Sequence, residues 1–151
     1  MSWTELGSVY FWNSNHTEAE AAYIKALVQK PDFMVALMNL GKLYLTQKQF
    51  EKASSVLSRA AAADPTSADA FHYLGESYLQ AKLGSKAVIA LNEAIRLAPD
   101  EKAQIHLRLA ALYNAAGVKE RAANEYKLFL AKRPGHPERK NLEKYIQENS
   151  K

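Results

Sequence analysis

Large apolar residues return along this chain at i, i+3 and i+7, the spacing of one helical face. Trp3, Leu6 and Tyr10 are followed by Leu37, Leu40 and Tyr44, and then by Phe71, Leu74 and Tyr78. Behind each triplet comes a second set: Ala19, Tyr23 and Ala26; Ala53, Leu57 and Ala60; Ala87, Leu91 and Ala94. The pattern predicts pairs of helices joined by short turns. Gly41 and Gly75 sit among good helix formers, where each Gly costs about 1 kcal/mol relative to Ala. Close approach of the partner helix is the expected compensation, with Ala53, Ala87 and Ala122 as the small residues at that contact.

The punctuation has a period. Pro31, Pro65 and Pro99 are each 34 residues apart, and Pro134 follows after 35. Aligned on these prolines, the first repeat holds Trp3, Leu6, Gly7, Tyr10, Ala19, Tyr23, Ala26 and Pro31. The same places hold Leu37, Leu40, Gly41, Tyr44, Ala53, Leu57, Ala60 and Pro65 in the second, and Phe71, Leu74, Gly75, Tyr78, Ala87, Leu91, Ala94 and Pro99 in the third. The fourth, displaced by one residue, has His106, Leu109, Ala110, Tyr113, Ala122, Tyr126, Phe129 and Pro134. This resembles the tetratricopeptide repeat pattern W-x2-L-G-x2-Y…A-x3-F…A…P, over residues 1 to about 135.

The resemblance implies an all-α fold, a right-handed α-solenoid (superhelix) of antiparallel helix pairs. One domain is expected over 1–151, with repeats at 1–33, 34–67, 68–102 and 103–136. A capping helix is expected over 137–149, where Leu142, Tyr145 and Ile146 form an apolar edge and Pro137 suits a first helical position. Each helix pair is too small to bury its apolar face alone and must stack on a neighbour. Departures are expected to matter: Ala110 replaces Gly, Phe129 replaces Ala and His106 replaces the bulky opener, so the fourth pair should pack differently. Gly84 and Lys119 stand where Phe50 opens its helix, which predicts looser turns there.

Composition narrows the picture. The 151 residues are 48% apolar and 24% charged, ordinary for a globular chain. The absence of Cys removes disulfides, thiol catalysis and Cys-based zinc sites. No apolar run approaches the roughly 20 residues of a membrane helix, and WTELGSVYFW lacks the basic start of a secretory leader. A soluble protein is expected, the cytoplasm favoured, the periplasm open if a signal lies upstream. Residues 1–101 carry a net charge of −2 and residues 102–151 a net charge of +6.

Catalytic constellations are missing. There is no phosphate-binding Gly loop, no H-E-x-x-H and no G-x-S-x-G elbow, so an enzyme is not expected and no cofactor or metal site is predicted. His72 and Glu76 share a helix face, with His106 one repeat on, but a metal would need a third ligand. Asn15-His16-Thr17 fits a glycosylation acceptor, while a turn with Thr17 as helix N-cap explains the same residues. The basic residues of the last third include Lys127, Lys132, Arg133, Arg139, Lys140 and Lys144 with few aromatics between them. They read as a solvated cap rather than a nucleic-acid surface.

Binding is the function the resemblance implies. Tetratricopeptide arrays hold peptides or protein segments on a concave surface lined by the first helix of each pair. Carried over, that surface comprises Phe11 and Trp12; Val35, Met38, Lys42 and Leu45; Asp69, His72, Glu76 and Leu79; and Gln104, Leu107, Arg108 and Ala111. Phe11, Leu45 and Leu79 recur at the repeat spacing and also suit packing between successive first helices. Val35, Met38 and Leu107 are the expected exposed apolar residues. The carboxylate clamp of chaperone-binding relatives keeps only Asn39 in the first three repeats and only Arg108 in the last three, so it is not expected. The expected function is a non-catalytic interaction scaffold for a protein or peptide partner, without specific nucleic-acid binding or membrane insertion. The alternative is a self-assembly module that pairs through its uncapped N-terminal repeat, or an interaction domain of a larger protein. Trp12, aligned with Thr46, Gln80 and Ala115, is the one aromatic in the opening stretch that the repeat does not require.

Overall fold

A computed structural model describes residues 1–150. The described residues form nine helices and no strand: α1 Trp3–Trp12, α2 His16–Gln29, α3 Met34–Thr46, α4 Phe50–Ala63, α5 Ala68–Gln80, α6 Gly84–Leu97, α7 Ile105–Ala115, α8 Lys119–Lys132 and α9 Arg139–Asn149. The chain divides into two compact units, residues 1–94 and 95–151. In the first, α1 pairs with α2 and α3 with α4, and α5 packs on both α3 and α4. In the second, α7 pairs with α8, and α9 lies against α8. The fold is all-α and built of antiparallel helix pairs, the α-solenoid class.

The glycines explain how closely the pairs approach. A Cβ on Gly41 would lie 2.5 Å from Leu57 Cδ2, and one on Gly75 the same distance from Leu91 Cδ2. On Gly7 it would meet the Tyr23 ring at 2.6 Å. Ala19, Ala53, Ala87 and Ala122 are fully buried at the other side of each pair. The helix cost of Gly is thus offset by interhelical packing that no larger residue permits.

Every pair is closed by the same three-residue turn. The central residue adopts positive φ each time: Ser14 (61°), Lys48 (59°), Lys82 (62°) and Gly117 (78°). The next residue then reaches back to the recurring Tyr, with Asn15 N–H donating to Tyr10 O, Gln49 to Tyr44 O, Leu83 to Tyr78 O and Val118 to Tyr113 O, all at 2.8 Å. Together with the bonds from Ser14, Lys48, Lys82 and Gly117 to Phe11, Leu45, Leu79 and Asn114, this is the Schellman arrangement. The turns before Gly84 and Lys119 are therefore not looser than the others. Backbone bonds set them, and no aromatic is needed.

Two helix starts differ from expectation for local reasons. Asn15 caps α2, not Thr17, because the Schellman turn delivers the chain directly into the next helix. α9 begins at Arg139, two residues past Pro137, since His136 N–H first closes a turn onto Arg133 O. At α1, Ser2 and Glu5 form a reciprocal capping box, with Ser2 N–H donating to Glu5 Oε2 at 2.7 Å and Glu5 N–H to Ser2 Oγ at 3.2 Å. Those Ser2 hydrogen bonds hold the Glu5 carboxyl below its ordinary pKa.

The fourth pair departs from the others as its substitutions predict. α7 starts only at Ile105, and its first turn is wound by bonds from Ile105, His106 and Leu107 to residues three back, the tighter 3₁₀ pattern. Phe129, in place of a small Ala, is fully buried and meets His136 edge-on. Tyr126 turns toward α9, its ring 5.1 Å from that of Tyr145. Tyr145 Oη in turn donates to Asn114 Oδ1 at 2.7 Å, tying α9 to α7.

Candidate interaction surface

The residues that the repeat does not consume for packing collect on the first helices. In the first unit these are α1, α3 and α5. Near the N-terminus a polar patch forms: Ser8 Oγ donates to Thr4 O at 3.0 Å, lies 3.3 Å from Tyr23 Oη, and accepts from Asn39 Nδ2 at 3.5 Å. Beside it Thr4 is 7% exposed, and its hydroxyl has no hydrogen-bond partner.

Further along, four side chains make a continuous band. Lys42 Nζ sits 4.9 Å from the Tyr73 ring centroid, Tyr73 stacks on His72 at 5.8 Å, and His72 Nε2 lies 3.9 Å from Glu76 Oε1. The helix register explains it: His72 and Glu76 are one turn apart on α5, and Lys42 faces them from α3. The band offers cationic, aromatic and anionic groups within one surface, the inventory for recognising a mixed polar and apolar segment.

The apolar candidates divide. Val35 is 50% exposed, while Met38 is half-buried and rests on the core. Phe11 and Leu45 are also half-buried against that core, and Leu79 is half-buried. Asp69 is exposed. Trp12 projects from the end of α1 at 82% exposure, touching only the edge of Phe11 among aromatic rings, at 6.1 Å. In the second unit Gln104, at the N-cap of α7, is exposed, as are Arg108 and Ala111 on the helix, and Leu107 is half-buried.

Two features escaped the sequence reading. The first is a recurrent cation over the repeat's Tyr: Lys52 over Tyr44 at 5.6 Å, Lys86 over Tyr78 at 5.7 Å, and Arg121 over Tyr113 at 5.8 Å. A cation directly before the buried Ala in three repeats was the available signal. The second is Glu125, buried and 2.6 Å from His106 Nδ1. His106 replaces the bulky opener, and Glu125 replaces an apolar residue that is Ala22, Val56 or Ala90 elsewhere. Both break the repeat together, and that coincidence marks them as partners.

Among the described residues no group of three His, Cys, Asp or Glu could hold a metal ion, and no helix is long and apolar enough to cross a membrane.

Residues 13–83 match the family model described as Tetratricopeptide repeat. Comparison with the curated proteins gave no match. Solved structures share the fold. One of MamA is 24% identical, covers 95% of this chain and 92% of its own, and superposes with a TM-score of 0.82. YrrB, described as a TPR protein with an unusual peptide-binding site, is 18% identical with a TM-score of 0.78, over 97% of this chain and 77% of its own. The first TPR of Spaghetti (RPAP3), bound to the HSP90 peptide SRMEEVD, is 22% identical with a TM-score of 0.70, over 76% and 90%. With the 34-residue period and the glycine-mediated helix pairs, this match places residues 13–83 in the tetratricopeptide repeat family, and the solved structures extend the same fold over the rest of the chain.

Proposed function

We propose that the protein is a non-catalytic scaffold that holds a peptide segment or partner surface on the first helices of its repeats. The observation that carries this is the Lys42–Tyr73–His72–Glu76 band flanked by Val35. Tyr73 packs partly against the core, while Lys42, His72 and Glu76 stand outside the recurring Leu, Gly, Tyr and Ala pattern of the repeat. The mixed charges favour a segment with both apolar and polar anchors over one of a single sign. The peptide-binding character of YrrB and of the RPAP3 domain supports the reading. Of the residues that form a carboxylate clamp in the first three repeats, Asn39 alone is present, so a peptide held by its C-terminal carboxylate is not the proposed partner.

Val35→Glu tests it most cleanly because Val35 already faces water; Met38→Glu and Leu107→Glu extend the test to half-buried positions. Affinity capture from the source cell should lose its partners with Val35→Glu while helicity and melting stay unchanged. Recovery of the same partners at the same level with all three variants would defeat the groove reading.

A second reading rests on Trp12 and on Val9, exposed together on α1 at i, i+3. Their face would dock onto a second copy. A sedimentation profile that stays monomeric up to millimolar protein would count against it.

A further inference from the structure

The first unit also carries a cleft of about 470 Å³ on α5 and α6, lined by Phe71, Leu74, Tyr78, Lys86, Ile89 and Glu93. It lies roughly a third of a turn round α5 from the His72–Glu76 face, so it is a different surface from the one just described.

Comparison with the first two repeats shows why it is wider here. In the second repeat the corresponding Leu37, Leu40, Tyr44 and Val56 are all buried, and Glu20 of α2 closes over Tyr44 by accepting from its Oη at 2.8 Å. One repeat on, the place of Glu20 is Ser54, whose hydroxyl turns back to Glu51 O, and the place of Leu27 is Ala61. These shorter side chains cover less of the aromatic floor, and Phe71 and Tyr78 are half-buried where Leu37 and Tyr44 are buried. In the first repeat the equivalent hollow is about 160 Å³, and Lys25 lies over Trp3 at 4.4 Å.

Ile89 is the second anomaly. It is 72% exposed, where the other three repeats carry Ala21, Ser55 and Asn124. Internal packing does not call for a large apolar residue there. Beside an apolar cleft, it extends the surface that a ligand would bury.

The rim sets the sign of that ligand. Exposed Lys86 holds its ammonium 5.7 Å from the Tyr78 ring, while Glu93 sits two helical turns away on α6, at the other end. An anionic group is drawn to the Lys86 end and turned away from the Glu93 end. The volume exceeds that of an aliphatic side chain, and two aromatic rings form its walls. An aromatic guest gains edge and face contacts with them and a cation contact with Lys86.

We propose that the α5–α6 cleft docks a partner-protein segment that presents an aromatic side chain next to a carboxylate. The test uses the isotopically labelled chain and the capped tetrapeptide Gly-Glu-Trp-Gly, followed by amide chemical shifts. Shifts should concentrate in α5 and α6 around Phe71, Tyr78 and Ile89 and saturate with a Kd on the order of 1 mM, as expected for so small a probe. Exchanging its Glu for Lys should weaken binding about fivefold, the worth of one exposed ion pair, and exchanging its Trp for Ala should abolish it. Ile89→Asp, at a water-facing position that leaves the fold alone, should weaken binding at least tenfold, and Lys86→Glu should reverse the preference between the Glu and Lys peptides. No shift by about 10 mM probe, equal binding of both charged peptides, or shifts confined to Val35, Lys42 and His72 would overturn the proposal. None of those results bears on partner capture by Val35 and Leu107.

Discussion

His106 Nδ1 and Glu125 Oε2 lie 2.6 Å apart inside the α7–α8 pair, at two positions that no other repeat fills with an ionisable residue. The pair exchanges an apolar contact for a short hydrogen bond between buried groups. Removing one partner leaves the other desolvated and unpaired, while replacing both restores the repeat's usual contact. His106→Leu alone should therefore cost about 3 kcal/mol. Adding Glu125→Val should return stability to the parent value or above it. Urea unfolding of the two variants and the parent measures the difference. Equal destabilisation by the single and the double variant would contradict the pairing.

The contact at Gly41 sets two preferences against each other. Ala should gain about 1 kcal/mol of helix propensity, but its Cβ would fall 2.5 Å from Leu57 Cδ2 and 2.6 Å from Cγ. Leu57 is fully buried, so its branch point cannot swing aside without displacing its neighbours. Overpacking of this kind costs about 1–3 kcal/mol, and Gly41→Ala should be destabilising overall. Leu57→Ala placed on top should recover part of the loss, giving a non-additive cycle in thermal unfolding.

The turns offer the opposite experiment. Lys48 and Lys82 hold φ near 60° without being Gly, whereas Gly117 holds 78° in the same arrangement. Left-handed backbone costs an ordinary residue about 1 kcal/mol or more. Lys48→Gly and Lys82→Gly should each leave stability unchanged or raise it by up to about 1 kcal/mol, against the entropy Gly adds to the unfolded chain. Gly117→Ala should lower it by about 1 kcal/mol, even though no atom stands within 4 Å of the added carbon. Loss on all three would show that these lysines contribute contacts beyond the turn itself.

These turns also show where the sequence was readable and where it was not. The period was legible because Leu40, Gly41 and Tyr44 each return one repeat on as packing demands, with Pro65 returning in the exposed turn between repeats. Turn geometry was not, because it rests on backbone bonds to Tyr78 O and Tyr113 O that Gly84 and Lys119 neither help nor hinder. The His106–Glu125 pair joins residues on two helices, and only their joint departure from the repeat announces it. The interaction surface was legible as positions but not as exposure. Val35 and Met38 look alike in sequence, yet one faces water and the other rests on the core.

Tyr44 links stability to alkaline pH. Burial, then the bond to the Glu20 carboxylate and the charge of that group, pushes its pKa up to about 12. In the unfolded chain a Tyr titrates near 10. The fold thus favours the neutral phenol, and this contribution is present in full below pH 10. It is lost as pH rises through 12, because the folded state then resists an ionisation that the unfolded state accepts. Tyr44→Phe keeps the ring and removes the titrating group. The parent should therefore lose stability relative to the variant between pH 10 and 12, while their difference stays constant from pH 7 to 9. Glu20→Gln keeps the burial but removes the charge, so the loss should still begin near pH 10 but be smaller and level off at lower pH. Parallel denaturation curves for parent and Tyr44→Phe across pH 10–12 would mean that this hydroxyl is not held in its neutral form by the fold.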